Sequence, residues 1–185
     1  MRVLHETSDV PLLIVTGTVG VGKTSVAAEI SDILSAHEVP HAFVDLDALS
    51  NSWPRHGRFN EEIAYRNLAS VWINFQQAGA RRLIVSCVVE SEDDLARLRE
   101  TVPGASIVVC RLIASAETRK SRLRGREVGA SLTWHLNRTT ELEGILRQAA
   151  LEDFQVQNEN RPLDLVAREV LELAGWLRES SRDGE

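Results

Sequence analysis

Residues 17–24 read Gly17-Thr18-Val19-Gly20-Val21-Gly22-Lys23-Thr24, a G-x-x-x-x-G-K-T segment. It follows an apolar run at 11–16 that reads as a buried strand. It precedes residues 25–34, where Val26, Ile30, Ile33 and Leu34 recur at helical spacing. A strand that turns through glycines directly into a helix admits few folds. Glycines let consecutive N–H groups point at one anion, and the helix N-terminus adds partial positive charge. Lys23 is placed to reach terminal phosphates, Thr24 to ligate Mg²⁺, and Ser25 lies at the helix start. The segment therefore predicts a nucleoside triphosphate site, with ATP and Mg²⁺ as the expected ligands; nothing in it selects adenine over guanine.

The rest of the chain alternates strand and helix. Strands are predicted at 41–47, 82–89, 106–113 and 154–156, and helices at 60–78, 91–101, 115–124, 132–150 and 163–177. Alternation of this kind predicts an α/β fold: a five-stranded parallel sheet covered by helices on both faces, in three layers. Ligands in such sheets lie at the C-terminal strand ends. One domain is expected over residues 1–178, with a polar tail at 179–185. Cys87 and Cys110 fall inside apolar runs and read as small core residues. The net charge of −6 argues against a general nucleic-acid binder, and no segment reaches the length of a bilayer span. The polar start of the chain leads to an expectation of a cytoplasmic protein.

Absent motifs narrow the class. There is no D-x-x-G and N-K-x-D pair for reading guanine, and the strand at 82–89 ends in Val89-Glu90 rather than Asp-Glu. What remains is a small kinase plan. Asp45 and Asp47, two residues apart on a predicted strand, would share one face beside Thr24. Two clustered carboxylates need a cation or donor to satisfy them: one can serve the Mg²⁺ and hydroxyl chemistry and the other can hold the substrate. Arg111, Arg119, Lys120, Arg122, Arg124 and Arg126 form a basic cluster in an otherwise acidic chain. Arg119, Arg122 and Arg126 share a helical face, and fixed cations there would stabilise a transferring phosphoryl group. Lys23, Asp45, Arg122 and Arg126 are the candidate catalytic residues. Trp53, Arg55 and Arg58, in the loop beyond the acids, are candidates for acceptor binding. Glu90 is a further candidate for a water-bridged Mg²⁺ or substrate contact.

The loop at 17–24, the D-x-D at 45–47, the arginine-bearing segment and the strand order resemble small-molecule kinases of the adenylylsulfate-kinase, gluconate-kinase and shikimate-kinase type, with a nucleoside-monophosphate-kinase-like sheet. The resemblance assigns Asp45 to the Mg²⁺ and hydroxyl chemistry and Asp47 to the substrate, and it implies a short lid near 119–131 that closes over ATP, with Arg119 or Arg122 stacking on the adenine. It also implies that the segment 158–162, including Arg161 and Pro162, contacts the base. Leu46 replaces the small residue common between the two acids. The segment 49–59 departs from the sulfate, gluconate and shikimate patterns and looks more like that of a kinase-like ATPase subgroup. The resemblance thus implies transfer of the γ-phosphate of Mg·ATP to a hydroxyl of a small molecule. A nucleotide sensor or slow ATPase working through a partner, and a polynucleotide-end kinase, stay open.

Overall fold

The computed structural model describes residues 9–177 except 56 and 58. The five strands are β1 (Val10–Thr16), β2 (Ala42–Asp45), β3 (Leu83–Ser86), β4 (Ala105–Ile113) and β5 (Phe154–Gln157). They form one parallel sheet in the order β2-β3-β1-β4-β5. The helices are α1 (Lys23–Ala36), α2 (Leu46–Leu49), α3 (Glu61–Gln77), α4 (Glu92–Thr101), α5 (Ala116–Arg126), α6 (Gly129–Ala149) and α7 (Leu163–Leu173).

The central strand shows why its sequence is apolar from Val10 to Val15. Successive side chains of a strand point to opposite faces. Leu12 and Ile14 enter a core shared with Ala64, Leu68 and Trp72 of α3 and Leu95 and Leu98 of α4. Leu13 and Val15 enter the other, shared with Val26, Ala27 and Ile30 of α1 and Val166, Ala167 and Val170 of α7. Both faces are covered, so neither parity tolerates a polar residue without a hydrogen-bond partner. This is the three-layer α/β/α arrangement expected for the chain. Cys87 and Cys110 are free and buried, one in each core.

Several boundaries differ from the periodicity reading, each for a local reason. β2 stops at Asp45 because its carboxylate accepts from the backbone N–H of Asp47 and Ala48, capping α2. Asp45 and Asp47 therefore do not alternate along one strand. β3 ends at Ser86, although Cys87 and Val89 are buried; past that point the Val89 N–H turns to Thr16 Oγ1 at 3.1 Å. Asn60 precedes α3 without capping it: its φ is 54°, and its amide donates to Ser50 O at 2.9 Å. The break between α5 and α6 is only Glu127 and Val128, and α6 starts at Gly129 rather than Leu132. α7 ends at Leu173, followed by a turn, and Leu165 and Leu173 face solvent. No described helix is long and apolar enough to cross a membrane. The expected tail at 179–185 and Arg58 lie outside the described residues.

Candidate active site

Residues 17–22 form a loop between β1 and α1 at the C-terminal end of the sheet, and Lys23 and Thr24 open the helix. Gly17, Gly20 and Gly22 have φ of 141°, 81° and 99°. At Gly22 an added Cβ would stand 2.6 Å from Asn158 Nδ2, so the position excludes a side chain by space as well as by torsion. Three other segments hold the loop from outside. Thr139 Oγ1 on α6 donates to Val19 O at 2.8 Å. Arg122 Nη1 and Asn158 Nδ2 both donate to Val21 O, at 3.0 and 2.8 Å. Arg119 Nη1 donates to Thr18 Oγ1 at 2.9 Å. The carbonyls of Val19 and Val21 are thereby occupied. Among the described residues nothing accepts from the N–H groups of Val19, Gly20 and Gly22, which leaves them as donors for an anion.

This bracing gives a test. Thr139 is buried, and Thr139→Val keeps its volume while leaving Val19 O without its donor. The expected cost is about 1–2 kcal/mol in stability and a several-fold weaker affinity for Mg·ATP, read by thermal melting and calorimetric titration. Unchanged affinity would mean that the loop holds its shape without α6.

Lys23 folds back over the loop, its Nζ donating to Gly17 O at 3.1 Å and Thr18 O at 3.3 Å. Burial lowers its pKa, and the charges of Asp47 and Asp45 oppose that shift. Thr24 Oγ1 donates to Asp45 Oδ2 at 2.7 Å, with Ser86 Oγ 3.4 Å away. Asp45 Oδ1 takes the N–H of Asp47 at 3.0 Å, so this carboxylate is held on both oxygens. Asp47 stands on α2, exposed on the cleft. Burial raises its carboxyl above the usual range, Lys23 pulls it down, and Asp45 pushes it further up.

Thr24, Asp45 and Ser86 offer only hard oxygen atoms. No cluster of three or more His, Cys, Asp or Glu side chains fit to hold a metal exists among the described residues. Such a sparse donor set fits Mg²⁺, which keeps several waters and takes the rest of its oxygens from phosphates, and does not fit a fully protein-ligated metal.

The arginines separate. All three of the shared face do turn toward the loop and cleft, but in different states. Arg119 is buried on Thr18 and ion-paired with Glu143. Glu143 is pushed up by burial, but the hydrogen bond and charge of Arg119 outweigh this and leave it below its ordinary value. Arg122 spends its two terminal nitrogens on Val21 O and Asn158 O. Arg126 lines the cleft, with its Nε on Glu127 at 3.1 Å. Arg111 belongs to none of this; it is buried on β4 between Glu152 and Glu143. Arg161 bonds Gln157 O and pairs with Glu169 at 2.6 Å, and Pro162 starts α7. The 158–162 segment is tied to the start of α5: Glu159 accepts from Ser115 Oγ, Thr118 Oγ1 and the Ser115 N–H, which hold its carboxyl down to about 2.

A cleft of about 780 Å³ runs from the loop to residues 46–61 and α6. Asp47 and Arg55 line it. Trp53 does not; it is 87% exposed. Glu90 lines the cleft and is paired with Arg138. Arg138, Trp134, Ser86 and Thr139 are site residues that the motif reading did not single out; Phe59 and Asn158 entered it only as members of the segments 49–59 and 158–162. A signal for Arg138 was present: Arg138, Leu142 and Leu146 recur every four residues, which puts the arginine on the buried stripe of α6.

No protein-family model and no curated protein matches the chain. Solved structures do. A gluconokinase from Sinorhizobium meliloti 1021 aligns over 90% of this chain and 93% of its own, with 22% identity and a TM-score of 0.61. The Mycobacterium tuberculosis APS kinase, solved with AMPPNP and APS, aligns over 90% and 98%, with 16% identity and a TM-score of 0.60. A shikimate kinase from Acinetobacter baumannii, solved with shikimate, aligns over 90% and 93%, with 16% identity and a TM-score of 0.57. The fold is that of the P-loop small-molecule kinases. At these identities the likeness concerns the P-loop kinase fold; the chemistry has to be argued from the side chains.

Proposed function

We propose that the protein is an ATP-dependent phosphotransferase that moves the γ-phosphate of Mg·ATP to a hydroxyl of a small molecule. The observation that carries this reading is the Asp45–Thr24 contact, with Lys23 and Asp47 beside it, at the foot of a cleft large enough for a second substrate. The solved structures of the same fold include a gluconokinase, an APS kinase and a shikimate kinase, which supports an acceptor of that size.

Thr24 and Asp45 would hold Mg²⁺. When bound, the ion neutralises phosphate charge and orients the transferring group. The N–H groups of the 17–25 loop receive the phosphates. Lys23 leaves the carbonyls of Gly17 and Thr18 for a phosphate oxygen, a stronger, charge-assisted partner. The two acids divide the remaining work according to their surroundings. Asp45 is fixed by three donors on its two oxygens. Asp47 is unencumbered and of raised proton affinity, so it accepts the proton of the acceptor hydroxyl. Residues 119–131 act as the lid: Arg126 faces the transferring group, and Arg122, once released from Val21 O, joins it. Arg119 and the segment with Arg161 and Pro162 form the base side. Arg55 contributes to acceptor binding, as do Trp53 and Arg58 if the loop folds over the cleft.

A coupled nucleotide-hydrolysis assay with Mg·ATP and a panel of hydroxyl compounds tests this. Stimulation by one compound class, lost in Asp45→Asn, is the expected result. Tight ATP binding without stimulation by any acceptor favours the sensor or slow ATPase.

A pH profile distinguishes the acids. A base works only above its pKa, and the Asp47 pKa is raised. The acid limb of kcat is therefore expected above the ordinary carboxylate range of about 4. It should vanish with the activity in Asp47→Asn, and a limb at or below that range would remove Asp47 from the role.

A further inference from the structure

We infer that Glu143 on α6 is a positioning residue for the nucleotide: it fixes Arg119 against Thr18 and thereby sets the first turn of the phosphate loop. This rests on the reading of that loop as the Mg·ATP site. Thr18 is buried, and each of its oxygens is committed. Its Oγ1 accepts from Arg119 Nη1 at 2.9 Å. Its carbonyl accepts from Lys23 Nζ at 3.3 Å and from the Val21 N–H at 3.4 Å. A shift of Thr18 therefore moves both the turn that carries the anion-binding N–H groups and the carbonyl on which Lys23 rests.

Arg119 is only 7% exposed. Its Nη1 is shared between Thr18 Oγ1 and Glu143, and its Nε is buried with no hydrogen-bond partner among the described residues. An unpaired buried N–H costs free energy, and it keeps its place only where neighbouring groups hold the side chain there. A buried guanidinium also needs a counter-charge, and Glu143 supplies it. The other oxygen of Glu143 lies 3.2 Å from Arg147 Nη2 and 3.7 Å from Arg111 Nη2. Arg111 is buried on β4 and pairs in turn with Glu152 at 3.3 Å. Glu143 is thus anchored to the sheet and cannot follow Arg119 outward. The result is a relay from β4 through α6 and α5 to Thr18. It differs from the Thr139–Val19 bond one turn earlier on α6, which is a neutral hydrogen bond and involves no arginine. A loop whose N–H groups already converge meets a phosphate without an ordering cost; a loop released from Arg119 has to be ordered on binding.

The test is calorimetric titration of the full chain with Mg·AMPPNP, with melting curves to show which variants fold. Glu143→Gln keeps the side-chain length and removes the charge, and it is expected to weaken binding about tenfold, the worth of one charge-assisted hydrogen bond. Thr18→Val keeps the shape and removes the acceptor, with the same expected loss. Thr18→Ser retains the hydroxyl and should bind within about twofold of the parent chain. Adding Glu143→Gln to Thr18→Val should weaken binding no further, because the relay is already cut. Arg147→Ala removes only the exposed partner of Glu143 and should leave the affinity unchanged. A purely structural Glu143 would instead give a lower melting temperature with unchanged affinity, or losses that add in the double variant; either result overturns the inference. So does equal affinity of the Thr18→Val and Thr18→Ser variants. Where one of Glu143→Gln and Thr18→Val fails to fold, the other decides alone. If the parent chain itself does not bind Mg·AMPPNP, the phosphotransferase reading falls and this inference falls with it.

Discussion

Gly17→Ala is expected to lower the melting temperature by roughly 8–12 °C, a loss of about 3–4 kcal/mol for a domain of this size. The residue has a φ of 141°, where a side chain costs about 1–3 kcal/mol in backbone strain. The new Cβ would also stand 2.7 Å from Leu112 O and 2.9 Å from Val21 Cγ1. The first of these is backbone of the adjacent strand β4, which cannot rotate away. Relief has to come from the loop, so affinity for Mg·ATP should fall along with stability. Gly125→Ala is the matched control. That glycine is helical, with nothing within 4 Å of an added Cβ, and the change should be neutral or stabilising by up to about 1 kcal/mol. Equal melting temperatures for the two variants would show that the loop at Gly17 is not constrained in this way.

Lys23→Met is expected to leave the fold in place and remove the activity. The buried ammonium has a lowered pKa, so at neutral pH the folded state carries the cost of a desolvated charge. Methionine removes that cost and keeps the length of the side chain, but it takes away the two bonds to Gly17 O and Thr18 O and the cation facing Asp47 and Asp45. These effects oppose one another, and a change of no more than about 4 °C in melting temperature follows, about 1 kcal/mol. Turnover is another matter. A fixed cation at the transferring group is worth about 10³-fold or more in rate, because it is already oriented when charge develops. A variant that melts normally and retains most of its turnover would refute the assignment of Lys23 to phosphoryl transfer.

The phosphate loop was legible because its requirements are local: glycines at left-handed torsions, a preceding strand and a following helix all lie within about 25 consecutive residues. The central strand was legible for the same kind of reason, since burial on both faces forces an uninterrupted apolar run. The alternation of elements was enough to predict a parallel three-layer fold. The D-x-D was visible as a pair of acids, but its geometry was not. A strand-face argument placed the carboxylates side by side, and the Asp45 cap instead turned the chain into a helix and gave the two acids different surroundings.

The arginines mark the boundary most clearly. By itself the sequence determined that Arg119, Arg122 and Arg126 share a helical face, since spacing alone decides that. Only the tertiary structure decided that Arg119 is buried against Thr18 and Glu143, that Arg122 clasps Val21 O, and that Arg126 alone of the three opens on the cleft. It likewise decided that Arg138, outside every recognised motif, meets Glu90 from beyond the end of β3. The charge state of a site depends on which carboxylate reaches which guanidinium across the fold. Partners such as Glu90 and Arg138, 48 residues apart, are brought together by packing of the layers and by nothing in the local pattern.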